Sequence, residues 1–566
     1  MGQGSSVTEN RSNVDQRLKN FSSNSNALRY FNEKALRFLT TPELVAFRSK
    51  IGGKKLTENI SNEEITKWLH MPSDNIVLRE VFYNFIRVLS NFPLIREGFD
   101  NVTGFGLLKS IVLIDHERCR KYLGLKSYNQ TRLMFIGLAT SKSIKEDYES
   151  TDSSPSRTSL NEVNSFRHYD RISVDELMIP ATYLQEFITW LLLLTTHCPT
   201  NNCEFPADHV YREWPTYKNS AMNILRSMDP SLVSTGEPHS INYEQFSNTI
   251  TTVIPDIFAP LERIMEHFLY QESDLVFAEF QNNLSTSKLM NQALIAQLAL
   301  SLPKELAFSK LQKLYVGRES GFSMRSLQAK VFKWMAPTVI LVSGKCILND
   351  EEYSIKNTRY KKFLQEFPKL KDDSQHLNEA QLHKNKVIFA VYISENWKVT
   401  NKGYFGGPGT RIIQISPTCD LFKATQPDVV YFNTVGGGIG IGSKQPTIKG
   451  LNKSYSPGNV SLTLDSTLEF AVFRHVGNGG KISPGMLISK NNSEDKPFEI
   501  RMLLQDVEVW GCGGEKELQE QMKQWQWEET EAKRRQQINL RSMGEDRALL
   551  VMAGILGEHS QSGGSM

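Results

Sequence analysis

SLPKELAFSKLQKLYVGRESGFSMRSL (Ser301–Leu327) opens the stretch that decides the fold. It is followed by APTVILVSG (Ala336–Gly344), KVIFAVYIS (Lys386–Ser394), GYFGGPGTRIIQISP (Gly403–Pro417), VVYFNTVGGGIGIGS (Val429–Ser443), SLTLDSTLEFAVFRHV (Ser461–Val476) and FEIRMLLQDVEVWGCGG (Phe498–Gly514). Phe498, Ile500, Met502 and Leu504 repeat with period two, as a strand with one apolar face requires. Val387–Ile393 is apolar at successive positions, which fits a central strand covered on both faces. Glycines 403, 406, 407, 409, 436, 437, 438, 440 and 442 mark sharp turns or bulges. No alternation of strand and helix is visible, so a parallel sheet is excluded. The reading is an α+β chain in which antiparallel sheets pack as a β-sandwich flanked by helices. Asn349–Asn385 and Lys444–Gly458 read as polar insertions on its surface.

Outward from that core, residues 27–288 read as helical. Ser61 and Glu64 form a capping box before Ile65, Trp68 and Leu69. Val77, Val81, Phe82, Phe85, Ile86 and Leu89 recur at helical spacing. Two segments echo the exit half of EF-hands, with Ile60 and Ile241 at loop position eight. Calcium needs carboxylates at positions 1, 3, 5 and 12. The second loop offers Ser234, Gly236, Pro238 and Gln245 there, and the first offers Gly53 and Lys55, so both are read as structural helix pairs without metal. Residues 1–26 read as a flexible N-terminus, and 140–165 as a disordered loop. The sandwich is placed at 289–515 and a C-terminal helix and tail at 516–566.

At 566 residues the chain exceeds one ordinary core. Its formal charge of +3 does not by itself announce a nucleic-acid binder. Basic clusters at Arg118/Arg120/Lys121, Lys361/Lys362 and Lys533–Arg535 have acidic neighbours, and are read as solvated faces first and contact patches second. The strongest apolar run, Phe187–Cys198, falls short of the ~20 residues a bilayer span needs. MGQGSS fits the N-myristoylation pattern, which makes Gly2 the expected lipid-attachment site. One acyl chain binds a membrane marginally and reversibly. No second signal lies near it, so a membrane-bound protein partner is expected as well.

Enzyme chemistry is not visible. The Gly436–Gly442 run closes no phosphate-binding frame, and Gly344–Lys345 precedes Cys346 rather than Ser or Thr. Gly321-Phe-Ser323-Met-Arg325 lacks the closing glycine of a nucleophile elbow. His197, Cys198, Cys203 and His209 match no common zinc spacing. Asp506 and Glu508 sit on a strand end, where a surface or capping role is the default. No catalytic residue, metal ligand or cofactor is assigned.

Leu302–Pro303, LYVGRESGFS (Leu314–Ser323), Ala336-Pro337-Thr338, the Gly403–Gly409 turn, the Gly436–Gly442 run and Val507-Glu508-Val509-Trp510-Gly511 together resemble the TLDc family, over about residues 289–515. Ala390 departs from it, standing where many relatives carry glycine. The resemblance implies a β-sandwich with flanking helices. It also implies a non-enzymatic regulator that binds the cytosolic sector of the vacuolar V-ATPase and favours its disassembly or inhibition. The protein would then be cytoplasmic, peripherally associated with the vacuolar membrane. Two other readings stay open: an oxidative-stress-protection factor, and a protein influencing telomere capping without direct DNA contact.

Glu515–Arg541 reads as one long helix with a thin apolar face of Leu518, Met522, Trp525 and Ala532. Trp525, Trp527, Arg534 and Arg535 are its candidate partner-binding residues, since exposed tryptophans suit interface anchors. Packing of Trp525 against the sandwich is the equal alternative.

Overall fold

The computed structural model describes residues 24–93, 101–123, 129–139, 174–196, 211–232, 239–270, 287–303, 311–370, 386–450, 452–486 and 497–512, with ten further positions between 519 and 534. The first part is helical: α1 (Asn24–Phe38), α2 (Thr41–Lys50), α3 (Asn62–Trp68), α4 (Ile76–Ser90), α5 (Gly104–Ile114), α6 (His116–Leu123), α7 (Gln130–Ala139), α8 (Ala181–Thr196), α9 (Trp214–Met228), α10 (Tyr243–Thr252), α11 (Ala259–Glu266) and α12 (Gln292–Ala299). The predicted starts are built as expected at α3, where the Glu64 carboxylate accepts Ser61 N–H at 3.0 Å. α10 ends before Pro255 and α11 begins with Pro260 in its first turn, because proline has no N–H to continue a helix from the residues before it.

The helices pair through short backbone bridges. Between α2–α3 and α4–α5, Ile60 N–H donates to the Val102 carbonyl at 2.7 Å. Between α7–α8 and α9–α10, β1 (Met178–Pro180) and β2 (Ser240–Asn242) run antiparallel with Ile179 opposite Ile241. Each of the two EF-hand-like segments in the sequence thus has a partner, at Val102 and Ile179. Counting from those residues puts Ile95, Glu97, Phe99 and Gly106 in one loop, and Ile172, Val174, Glu176 and Tyr183 in the other, at the ligand positions. Neither set offers the carboxylates calcium demands.

The second part holds β3 (Gln312–Val316), α13 (Gly317–Ser320), α14 (Met324–Val331), β4 (Thr338–Cys346), α15 (Asp350–Lys356), α16 (Thr358–Glu366), β5 (Lys386–Ile393), β6 (Arg411–Ser416), β7 (Asp420–Lys423), β8 (Val430–Asn433), β9 (Gly438–Ile441), β10 (Lys444–Lys449), β11 (Asn452–Ser456), β12 (Val460–Leu464), β13 (Phe470–His475) and β14 (Phe498–Gly511). Ten of these strands form one antiparallel sheet in the order β7-β6-β5-β4-β14-β13-β12-β9-β8, with β3 also beside β14. The sheet folds over on itself at β14, whose register slips between Leu504 and Asp506. Its two halves meet face to face: Phe389 of β5 stacks on Phe473 of β13 at 4.7 Å, and Phe422 of β7 lies 5.2 Å from the same ring. The expected sandwich is therefore one continuous sheet closed into two layers.

The apolar run of β5 has a direct cause. Val387, Phe389, Val391 and Ile393 fill the sandwich, while Ala390 and Tyr392 join the core of the helical part. Val339, Leu341, Ile413, Ile415, Leu421 and Trp510 lie in that same shared core. The opposite flank is covered too, which corrects the reading of the insertions as merely polar surface. Tyr360, Phe363 and Phe367 pack with Tyr455 of β11 and with Phe470 and Val472 of β13 into a third core. A helix with one apolar stripe reads as polar on average, and that average hid Tyr360, Phe363 and Phe367.

Among the described residues no helix is long and apolar enough to cross a membrane. The described positions between 519 and 534 are helical. The remainder of the expected Glu515–Arg541 helix lies outside the described residues, as do residues 140–165.

Candidate interaction surfaces

The residues quoted above as most telling converge on one seam. In Val507-Glu508-Val509-Trp510-Gly511, Val507 and Val509 enter the sandwich and Trp510 faces the helices. A Cβ on Gly511 would come within 2.4 Å of the Trp334 ring, so only glycine fits beneath it. Glu508 is fully buried, which overturns the surface reading while keeping the capping one. Its carboxylate accepts the Ser287 hydroxyl at 2.7 Å, Lys288 N–H at 3.1 Å, Leu289 N–H at 3.2 Å and the Trp510 indole N–H at 3.0 Å. Four donors make a buried carboxylate tolerable, and they fix the chain where it enters α12. Asp506 is buried as well, with Arg318 Nε 2.6 Å from its Oδ2. Burial raises its pKa above the usual carboxylate value, against the lowering effect of Arg318 and with a further rise from Glu508.

Further bonds cross the same seam. Arg411 donates to the Ser301 carbonyl at 2.6 Å, Gln297 to Ile415 O at 3.2 Å, Arg226 to Pro417 O at 3.3 Å, and Cys419 N–H to Asn223 O at 2.9 Å. Helices and sandwich are thereby held as one packed unit, and this sheet face is spent internally. The EF-hand-like helices are likewise occupied. A small apolar cavity of about 10 Å³ remains beside α8, lined among others by Phe187, Ile188, Phe246, Ile254 and Phe258. That is room for at most one water, and its walls offer no polar partner to hold one.

LYVGRESGFS is a strand, turn and cap. Tyr315 on β3 donates its hydroxyl to the Gly321 carbonyl at 2.7 Å, and Gly321 has φ +81°. Ser323 Oγ accepts Ser326 N–H and starts α14. This corner leaves Phe322 and Met335 exposed. The glycine run opens as a turn, but from Gly438 to Ile441 it is strand β9, which corrects the reading of all its glycines as turns or bulges. Asn433 Oδ1 accepts Val435 and Gly437 N–H at 2.9 and 3.0 Å, and a Cβ on Gly440 would strike the Tyr431 ring.

Trp527 is 66% exposed, as an anchor should be, and Arg534 lies 3.5 Å from Glu531. Gly2, Trp525 and Arg535 lie outside the described residues, as does the cluster His197, Cys198, Cys203 and His209. Burial pushes the thiols of Cys346, Cys419 and Cys512 up to about 12, so they do not ionise near neutrality. Among the described residues no group of three His, Cys, Asp or Glu is arranged to hold a metal.

With the sheet, the seam and the exposed corners defined, comparison with known proteins assigns them. Residues 283–513 match the TLDc domain. The chain is 53% identical to Restriction of telomere capping protein 5 of Zygosaccharomyces rouxii over 555 residues, covering 97% of this chain and 98% of that one. It belongs to the restriction of telomere capping protein 5 family. The family member of Saccharomyces cerevisiae is 50% identical over 570 residues and that of Kluyveromyces lactis 47% over 578, each matched over the full length of both chains. The family's TLDc domain is therefore the folded-over sheet with α12 at its border.

Proposed function

We propose that this protein is a non-enzymatic regulator that docks on the cytosolic sector of a vacuolar proton-pumping V-ATPase and promotes its disassembly or inhibition. Membership of the TLDc family is the observation that carries this reading. The way the fold uses its chemistry supports it: buried Glu508 caps backbone, Asp506 pairs with Arg318, and the Cys346, Cys419 and Cys512 thiols are held protonated. An acyl chain on Gly2 would raise the local concentration at the membrane, where even weak contacts suffice. Trp527 supplies an exposed aromatic anchor.

Affinity capture from detergent-solubilised vacuolar membranes tests the partner. Pump subunits are expected in the eluate, and their absence at undiminished bait levels would count decisively against it. Trp527→Ala should weaken capture by tenfold or more without changing thermal stability, since hot-spot aromatics contribute ~2 kcal/mol or more. Gly2→Ala should release the protein from vacuolar membranes. A second reading, an influence on telomere capping, is favoured by the names of the relatives. It would act without direct DNA contact.

A further inference from the structure

We propose that the two insertions together form a second membrane-contact face, whose ligand is an anionic lipid surface. The inference rests on the membrane-surface reading above only for where the protein works.

Three observations carry it. First, the insertions are one rigid unit. Phe363 and Phe367 of the first lie 6.0 and 5.6 Å from Tyr455 of the second, and Lys453 Nζ is 2.7 Å from Glu366 Oε2. The guanidinium groups of Arg474 and Arg501 lie 5.2 and 5.4 Å from the Phe367 ring, and Glu499 bridges them at 2.5 and 2.6 Å. Second, that unit concentrates positive charge. Residues 350–370 and 444–456 hold eight Lys and Arg against four Asp and Glu, a net of +4 where the whole chain carries +3. Because α16 turns Tyr360, Phe363 and Phe367 inward, Arg359, Lys361 and Lys362 stand on its outer side. Lys361, Lys444 and Lys449 are exposed and have no ion-pair partner among the described residues. Third, aliphatic side chains protrude on or beside the same segments: Ile355 is 84% exposed, Leu348 54% and Ile448 36%, the last next to Lys449 on β10.

Lysines around protruding aliphatics match an anionic bilayer, which offers diffuse negative charge above an apolar interior. Stacking on single-stranded nucleic acid would call for exposed rings, yet Tyr360, Phe363, Phe367 and Tyr455 are all buried. A single acyl chain needs a second signal for stable anchoring, commonly a basic patch. No such patch lies beside Gly2 in the sequence, and the fold supplies one. The 22 residues from Gly2 to Asn24 reach at most about 75 Å, a wide radius within which an acyl chain can meet the same bilayer.

The test uses full-length protein carrying Gly2→Ala, so that acylation plays no part, with phosphatidylcholine vesicles containing or lacking phosphatidylserine. Sedimentation with the phosphatidylserine vesicles is expected at low salt and should fade at high salt. Lys361→Glu, Lys362→Glu and Lys449→Glu combined should lower that binding well over 100-fold, since removing each lysine charge alone costs about fivefold and reversal adds repulsion. All three side chains are exposed, so thermal unfolding should not shift, and the corresponding Lys→Gln set should give an intermediate loss. Absence of binding to phosphatidylserine vesicles, or equal binding by the triple variant, would overturn the proposal. So would retention by duplex DNA or by pump subunits alone, abolished in the triple variant, because the occupant would then be a different macromolecule. A failed Gly2 reading would show separately, as a protein isolated from cells whose N-terminus lacks the mass of an acyl chain.

Discussion

Gly436 and Gly438 stand two residues apart in one run, and they are held for different reasons. Gly436 has φ +100° with open space around its missing Cβ, whereas Gly438 has φ +74° and a Cβ there would lie 2.2 Å from the Leu464 carbonyl oxygen. Gly436→Ala should cost ~1 kcal/mol, the conformational penalty alone. Gly438→Ala adds a backbone collision and should cost ~3 kcal/mol or more. Denaturant midpoints of the two variants check the difference, and equal shifts would contradict it. That the run is no phosphate loop was legible from its failed frame and from the strands that follow it; that its second half is itself strand β9 was not. The burial of Glu508 was not legible. Period two shows that Glu508 and Trp510 share a face, but not that a distant helical region covers that face. The four donors it collects include three from residues 287–289, more than two hundred positions away.

At the scale of elements, α11 and the turn after it carry two neighbours with opposite responses to acid. Burial, reinforced by a hydrogen bond and repulsion from Asp115, pushes Glu266 up to about 7, while Arg118 opposes the shift. Burial, with repulsion from Lys50 and His70, brings His267 down to about 4. Between pH 4.5 and 7 the folded protein holds a proton on Glu266 that the unfolded chain does not, so this group's stabilisation is lost as pH rises through 7. His267 works in the other direction: between pH 6.5 and 4 the unfolded chain is protonated and the folded one is not, so stability falls with pH there. The two contributions offset each other in the intact protein. Glu266→Gln should therefore steepen the loss of stability between pH 6.5 and 4.5 by ~1–2 kcal/mol, read from urea midpoints across that range. A slope identical to that of the parent would refute the pairing. The helical pairs were half legible: Ile60 and Ile241 carry the apolar exit pattern, but their partners Val102 and Ile179 emerge only when the bridges form.

For the whole molecule, fold class followed from pattern because Val387–Ile393 needs cover on both faces and the chain supplies it twice, by helices on one side and by its own second layer on the other. What pattern could not supply is which surfaces remain outside. The seam between helices and sheet is closed by hydrogen bonds and shared core, whereas the Phe322/Met335 corner, Trp527 and the basic insertion face are among the described surfaces open to partners. These lie far apart in sequence and become neighbours, or not, only through folding; Lys361 and Lys449 read singly as solvated charges. On the function proposed above, such surfaces change the state of another assembly without turnover of a substrate. Adding purified protein to isolated vacuolar membranes and measuring how much cytosolic-sector V-ATPase moves to the supernatant tests this most directly. Dose-dependent release or loss of proton pumping, weakened by Trp527→Ala, is the expected result. Full retention of the sector together with undiminished pumping at saturating protein would contradict it.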